Sequence, residues 1–318
     1  MDIHMNRRNF LQGLSLLPLS GLAAAAPQAS KKKAAVLRTS LNAYSFNVLL
    51  NDAIRGRGEG TTLMKLLDFA SKNKFDAFDA TGYYFPGYPA VPSNDYIDGL
   101  KKKAADLGIA ISGTGVRNNF TTADAAVRQQ GVDHIKQYVE VAARLGAPVI
   151  RVFADTQMRA ENWESVSKGA TRTQVQDWIV ANLRECADHA SKFKVKIGVQ
   201  NHGDFLKTGQ EQLALIKAVG SPWCGPIVDT GYYKTPDPYA DFALVAPTAV
   251  NWQVKQSPLG EESEVPTDLI KLLKIVRASG YSGYLPIETL SPRGKAYDPY
   301  TVVPAFLAQL REAIAKTA

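Results

Sequence analysis

Apolar and polar positions along the chain follow two rhythms. Short runs rich in Val, Ile, Leu and Phe read as strands at Arg38–Phe46, Phe75–Asp79, Ile109–Gly113, Val149–Phe153, Val195–Gln200, Gly225–Asp229, Ala249–Lys255 and Gly283–Glu288. Between and after them, apolar residues recur at three- and four-residue spacing over Thr62–Asn73, Asn94–Leu107, Gly131–Leu145, Gln174–Lys192, Gln210–Val219, Tyr239–Val245, Thr267–Ser279 and Tyr300–Lys316. That is the period of helices with one buried face. Gly108, Gly146 and Gly280 each stand between a helical run and the next strand, where a helix stop is needed. Eight strand–helix pairs predict an α/β fold, a single (β/α)8 TIM barrel over residues 36–318. An open doubly wound sheet would place a G-x-G-x-x-G turn after the first strand, and LNAYSFN stands there instead.

The first thirty residues break this rhythm. Asn6-Arg7-Arg8-Asn9-Phe10-Leu11 precedes an apolar segment, Leu14 to Leu22, and then the alanines 23–26. This is the pattern of a twin-arginine export signal, with small residues at the cleavage point and a polar linker after it. The apolar run is too short to span a bilayer of about 30 Å. The expectation is a periplasmic protein with no membrane anchor once residues 1–30 are removed. Cys186 and Cys224 are expected as buried free thiols, since nothing in the sequence places them side by side.

Of the 318 residues, 45% are apolar and 21% charged, enough to bury one large core. The formal charge of +7 is scattered, with short lysine runs at 31–33 and 101–103. It forms neither a basic stripe nor a cluster with interleaved aromatics, so nucleic acid is not an expected partner.

Chemistry gathers at the strand ends. VKIGVQNH ends in Gln200, Asn201 and His202; CGPIVDTG ends in Asp229; VNWQVK carries Gln253 and Lys255; YLPIETL carries Glu288. In a barrel these tips converge on the face whose loops build active sites. Asp229 and Glu288 would balance one divalent ion. Gln200 and Gln253 add neutral oxygens suited to Mg²⁺ or Mn²⁺, and His202 would shift preference toward Mn²⁺, Co²⁺ or Zn²⁺. The other reading of the same residues is an ion-paired core, with Lys255 or Arg151 neutralising the two carboxylates. The second strand leads into Tyr83, Tyr84, Phe85 and Tyr88, separated by Pro86 and Gly87. These rings fit the apolar face of a sugar, and equally a packed lid or a homodimer contact. Arg117, Asn118, Asn119, Arg151 and Asp155 add hydrogen-bonding groups on the same rim.

The eight-unit pattern with VQNH, IVDTG and PIETL resembles the xylose isomerase-like TIM-barrel superfamily across the whole mature chain. The resemblance implies a divalent metal held at four strand tips by Glu, Asp, His and Glu, which fall here on Gln200, Asp229, Gln253 and Glu288. Two of the four depart from that pattern. It also implies proton abstraction beside a carbonyl, with Glu288 as base. His202 or Lys255 would stand in for the second acid–base group that Gln200 cannot supply. The endonuclease IV branch, with its histidine-rich zinc centre, does not fit a chain whose one strand-tip histidine is His202. The function expected is therefore a metal-dependent isomerase or epimerase of a free sugar or keto-sugar working through an enediolate. The alternatives are a lyase or hydratase eliminating across a 3-keto-glycoside and a sugar-binding protein without catalysis. A small carbohydrate is the partner common to all three.

Overall fold

Strand β1 (Leu37–Asn42) opens a parallel ladder that continues through β2 (Ala77–Thr81), β3 (Ala110–Gly115), β4 (Val149–Phe153), β5 (Lys196–Gln200), β6 (Cys224–Asp229), β7 (Asn251–Gln253) and β8 (Gly283–Ile287). Each strand pairs with the next, β1 also pairs with β8, and a parallel bridge from Val254 to Ile287 closes the ring between β7 and β8. These contacts come from a computed structural model, which describes residues 36–156, 161–260, 263, 265–291 and 295–318. The segment read as the export signal and its linker lies outside the described residues. No helix among the described residues is long and apolar enough to cross a membrane.

The (β/α)8 architecture is the one the alternating pattern predicts. Its strands are buried on both faces, which is why they read as unbroken apolar runs and not as alternating ones. Helices pack around them, and their ends are set by local chemistry. Thr171 and Thr208 head capping boxes, Asp124 and Asp268 cap by side chain, and Pro238 and Pro299 occupy first-turn positions. Gly108, Gly146 and Gly280 all sit at positive φ, where the expected helix stops need them. Cys186 and Cys224 are buried free thiols.

Several boundaries shift, and three of the shifts have a visible reason. The first strand stops at Asn42 and not at Phe46, because the Asn42 side chain takes the Tyr44 N–H and turns residues 43–46 into a 3-10 segment. The helix expected from Gly131 begins at Ala125 under an Asp124 cap. Gly131 lies within it, where a Cβ would come 3.0 Å from the Phe120 ring. The seventh strand is shortened because Val254 leaves the β6 ladder to bridge to β8. Short helices at Asn47–Ile54 and Trp163–Val166 have no counterpart in the periodic pattern.

Candidate active site

The strand tips meet at the C-terminal mouth, and their hydrogen bonds tie them into one cluster. Asn42, at the end of β1, donates from its amide to Gln253 Oε1 at 2.6 Å and to Glu288 Oε2 at 2.9 Å. Its own Oδ1 accepts from Tyr44 N and from Thr81 Oγ1. Gln200 Nε2 donates to Asp229 Oδ2, and Gln200 Oε1 accepts from Arg151 Nη1 at 3.2 Å. Asp229 Oδ1 accepts from Gly231 N at 2.9 Å. Lys255 Nζ is bonded to Glu288 Oε1 and stands 3.3 Å from Asp229 Oδ2. Gln200, Asp229, Gln253, Lys255 and Glu288 are all buried.

Backbone features position these side chains. Gly115 on β3 leaves room for Arg151, since a Cβ there would lie 2.7 Å from the guanidinium nitrogens. The Lys255 backbone is held on both sides, by Thr230 Oγ1 accepting from its N–H and by Thr267 Oγ1 donating to its carbonyl. Asp155, two residues past the end of β4, accepts the backbone N–H groups of His202, Phe205 and Leu206 and so shapes the loop after β5.

Electrostatics follow from burial. Burial raises Asp229 to about 6 against the pull of Lys255, with Glu288 adding repulsion. Asp79, in the middle of β2, is raised to about 6 by burial, opposed by Arg151 and reinforced by Glu288. Burial first, then Lys255 and Arg151, push the His202 imidazole well below its ordinary range. Although one edge of the ring reaches solvent, it is held neutral at physiological pH. His202 stacks on Tyr232 with centroids 4.3 Å apart and meets Phe153 edge-on.

A cleft of about 330 Å³ opens beside the cluster, lined in part by Gly231, Tyr232, Lys255, Gln256, Glu288 and Leu290. Lys255 and Glu288 are the two expected catalytic residues that face it. The rim residues divide. Tyr83 lies under Arg117 and Arg151, with guanidinium carbons 4.6 and 5.1 Å from its centroid, and Arg151 links that stack to Gln200. Tyr84 is buried, and its hydroxyl finds no hydrogen-bond partner among the described residues. Two expected substrate contacts are corrected. Phe85 is 2% exposed, stacked on Tyr138 and edge-on to Tyr96, so it anchors the loop in the core and offers no face to a sugar. Asn118 spends its amide on the backbone of Phe153, donating to the carbonyl at 2.7 Å and accepting from the N–H at 2.8 Å.

The donor set does not fit a divalent ion as it is arranged. Every side-chain oxygen of the four expected ligands already receives an N–H: from Arg151 on Gln200, from Gly231, Gln200 and Lys255 on Asp229, from Asn42 on Gln253, and from Lys255 and Asn42 on Glu288. The ion-paired reading of Asp229 and Glu288 is the one these contacts describe.

Two cluster residues are not named by the strand-end pattern: Asn42 falls inside the overlong first strand that the sequence predicts, and Asp79, the last residue of the predicted second strand, stands in the middle of β2.

The backbone resembles several solved structures. Over 87% of this chain and 98% of the other it superposes on an apo 3-keto-D-glucoside 4-epimerase from E. coli, with a TM-score of 0.68 and 15% identity. An L-ribulose 3-epimerase gives 0.69 at 18% identity over 88% and 97% of the two chains. A D-psicose 3-epimerase from Clostridium cellulolyticum H10, solved with D-tagatose, gives 0.69 at 14% identity over 87% and 99%. At such identities the likeness is one of fold. No curated protein matches the chain by sequence. The family described as xylose isomerase-like TIM barrel matches residues 67–312, most of the barrel just described, and the chain belongs to that family.

Proposed function

We propose that this protein is an enzyme that moves a proton beside the carbonyl of a free sugar or keto-sugar, an isomerase or epimerase working through an enediolate. The observation that carries this reading is the Glu288–Lys255 pair at the wall of the cleft. Abstraction of a proton α to a carbonyl needs a carboxylate base and, beside it, a positive group for the oxygen that gains charge. Glu288 and Lys255 are those two groups, and Asn42 orients the far oxygen of Glu288. The neighbouring folds support the substrate class, since the structures they belong to are named as epimerases of ketoses and of a 3-keto-glucoside. The expected periplasmic destination favours an unphosphorylated sugar.

A second reading, elimination across a 3-keto-glycoside, is favoured by one contact. Gln200 stands where the resemblance expects a second carboxylate, and its amide is held between Arg151 and Asp229. An amide cannot take a proton from the opposite face of a sugar. Elimination needs only one base and one acid, which Glu288 and Lys255 supply.

The test is incubation of the mature chain in D2O with a panel of free ketoses and 3-keto-glycosides, followed by NMR. An isomerase or epimerase yields an isomer carrying deuterium beside the carbonyl, whereas a lyase yields an unsaturated ketone and a released aglycone. Glu288→Gln is expected to lower kcat by about 10²–10⁴, the usual worth of a positioned base. Absence of exchange, isomer and aglycone across the whole panel would sink both readings.

A further inference from the structure

We propose that this chain works without a bound divalent ion, because the Lys255 ammonium occupies the place between Asp229 and Glu288 that an ion would need; the catalytic part of the proposal rests on the reading above, the metal part does not.

The position of Lys255 is built and not incidental. Its side chain is nearly fully buried and reaches both carboxylates. Its stem runs past Gly231, where a Cβ would come 3.0 Å from Lys255 Cγ, and its ammonium lies 5.1 Å from the Tyr232 centroid. Thr230 and Thr267 grip the backbone of the same residue.

Charge and hydrogen bonding then leave nothing for a cation. Asp229, Glu288 and Asp79 are three buried carboxylates, and Lys255 with Arg151 sets two positive charges against them. A divalent ion added to that cluster would turn it net positive even with all three ionised, a cost in a buried site that neutral amide oxygens offset only in part. Nor can the amides turn to help. Reversing Gln200 would set its carbonyl against Asp229 and its NH2 against Arg151, and reversing Gln253 would face its NH2 toward that of Asn42.

An ammonium supplies one charge and three N–H donors, less than a metal but aimed at the same oxygen. In an isomerisation Glu288 takes the proton from the carbon beside the carbonyl. The C–H electron pair becomes the enediol double bond, and the carbonyl oxygen, gaining the π pair, takes a proton from Lys255. Return runs in the same way. The neighbouring hydroxyl gives its proton to the Lys255 amine and becomes the new carbonyl, while Glu288 delivers its proton to the former carbonyl carbon. Both residues end as they began.

The decisive measurement is Mn²⁺ binding, read as loss of the free-ion EPR signal during titration of the mature chain. The native protein is expected to bind no Mn²⁺ at the barrel mouth with a Kd below about 1 mM, and its turnover to survive exhaustive dialysis against EDTA. Lys255→Met removes the charge but keeps the volume, and it should tighten Mn²⁺ binding at least about tenfold. Lys255→Met with Gln200→Glu should tighten it further. Lys255→Arg, which keeps the charge, should stay metal-free. Stoichiometric Mn²⁺ uptake by the native chain, lost in Asp229→Ala, would overturn the proposal, as would folded Lys255→Met with no gain in affinity. Should Lys255→Met fail to fold, the native titration and the EDTA result decide alone. Failure of the sugar panel would leave these metal readouts untouched, so the two readings fail separately.

Discussion

Asn42 uses all of its hydrogen-bonding capacity: two N–H bonds go to Gln253 and Glu288, and its oxygen accepts from Tyr44 and Thr81. Such a residue is costly to truncate, because each buried partner left unpaired costs about 1–3 kcal/mol. Asn42→Ala is therefore expected to lower stability by about 2–4 kcal/mol in urea unfolding and to release the base from its orientation. A kcat loss together with that destabilisation supports the orienting role. A variant of native stability and native kcat would show that the network is dispensable. His202 illustrates the opposite case, a residue whose type invites an acid–base role while its environment withholds it. Half-buried beside Lys255 and Arg151, it is kept neutral, which leaves it stacking on Tyr232 and Phe153 but no charge switch at physiological pH.

At the scale of elements, the segment after β2 combines two functions that sequence periodicity cannot separate. Tyr83, Tyr84 and Phe85 are consecutive aromatics, yet one lies under two arginines, one is buried with an unpartnered hydroxyl and one is packed into the core. Phe85→Ala is expected to cost about 3–5 kcal/mol of stability, the usual price of truncating a buried Phe, with little change in KM. Tyr84→Phe removes a buried hydroxyl that satisfies nothing, so stability should hold or rise by up to about 1 kcal/mol. Thermal unfolding of the two variants side by side checks this. A drop in sugar affinity for Phe85→Ala at unchanged stability would return that ring to the substrate face. The three-residue 3-10 turn at Gly82–Tyr84 explains the division, since a turn of that pitch sends successive side chains in different directions.

For the whole molecule, the buried carboxylates set a pH dependence. Asp79 has a folded value of about 6 against an ordinary 3.8, raised chiefly by burial. A raised acid contributes stability that is fully present below its unfolded value and is lost as pH rises through the folded one. Between about pH 4 and pH 6 the native chain should therefore lose stability relative to Asp79→Asn, whose neutral amide does not titrate, and the gap should be constant above that window. Melting temperatures of the two proteins across pH 3.5–8 measure it, at about 2–4 °C per kcal/mol for a chain of this size or somewhat less. A pH-independent difference would mean that Asp79 keeps an ordinary value in the barrel.

What the sequence by itself determined was the architecture. The alternation of apolar strands with helical periods is a local property, each segment carrying its own period and its own caps, so eight strands, their order of succession and the face on which the polar tips gather were all readable. The tertiary structure decided what those tips are to one another. Whether Asp229 and Glu288 hold an ion or a lysine depends on whether Lys255 can reach between them. That in turn depends on a shortened β7, on the space left by Gly231 and on Asn42 arriving from the far end of the chain. These are distances between residues up to 246 positions apart, and a period read along the chain carries no information about them.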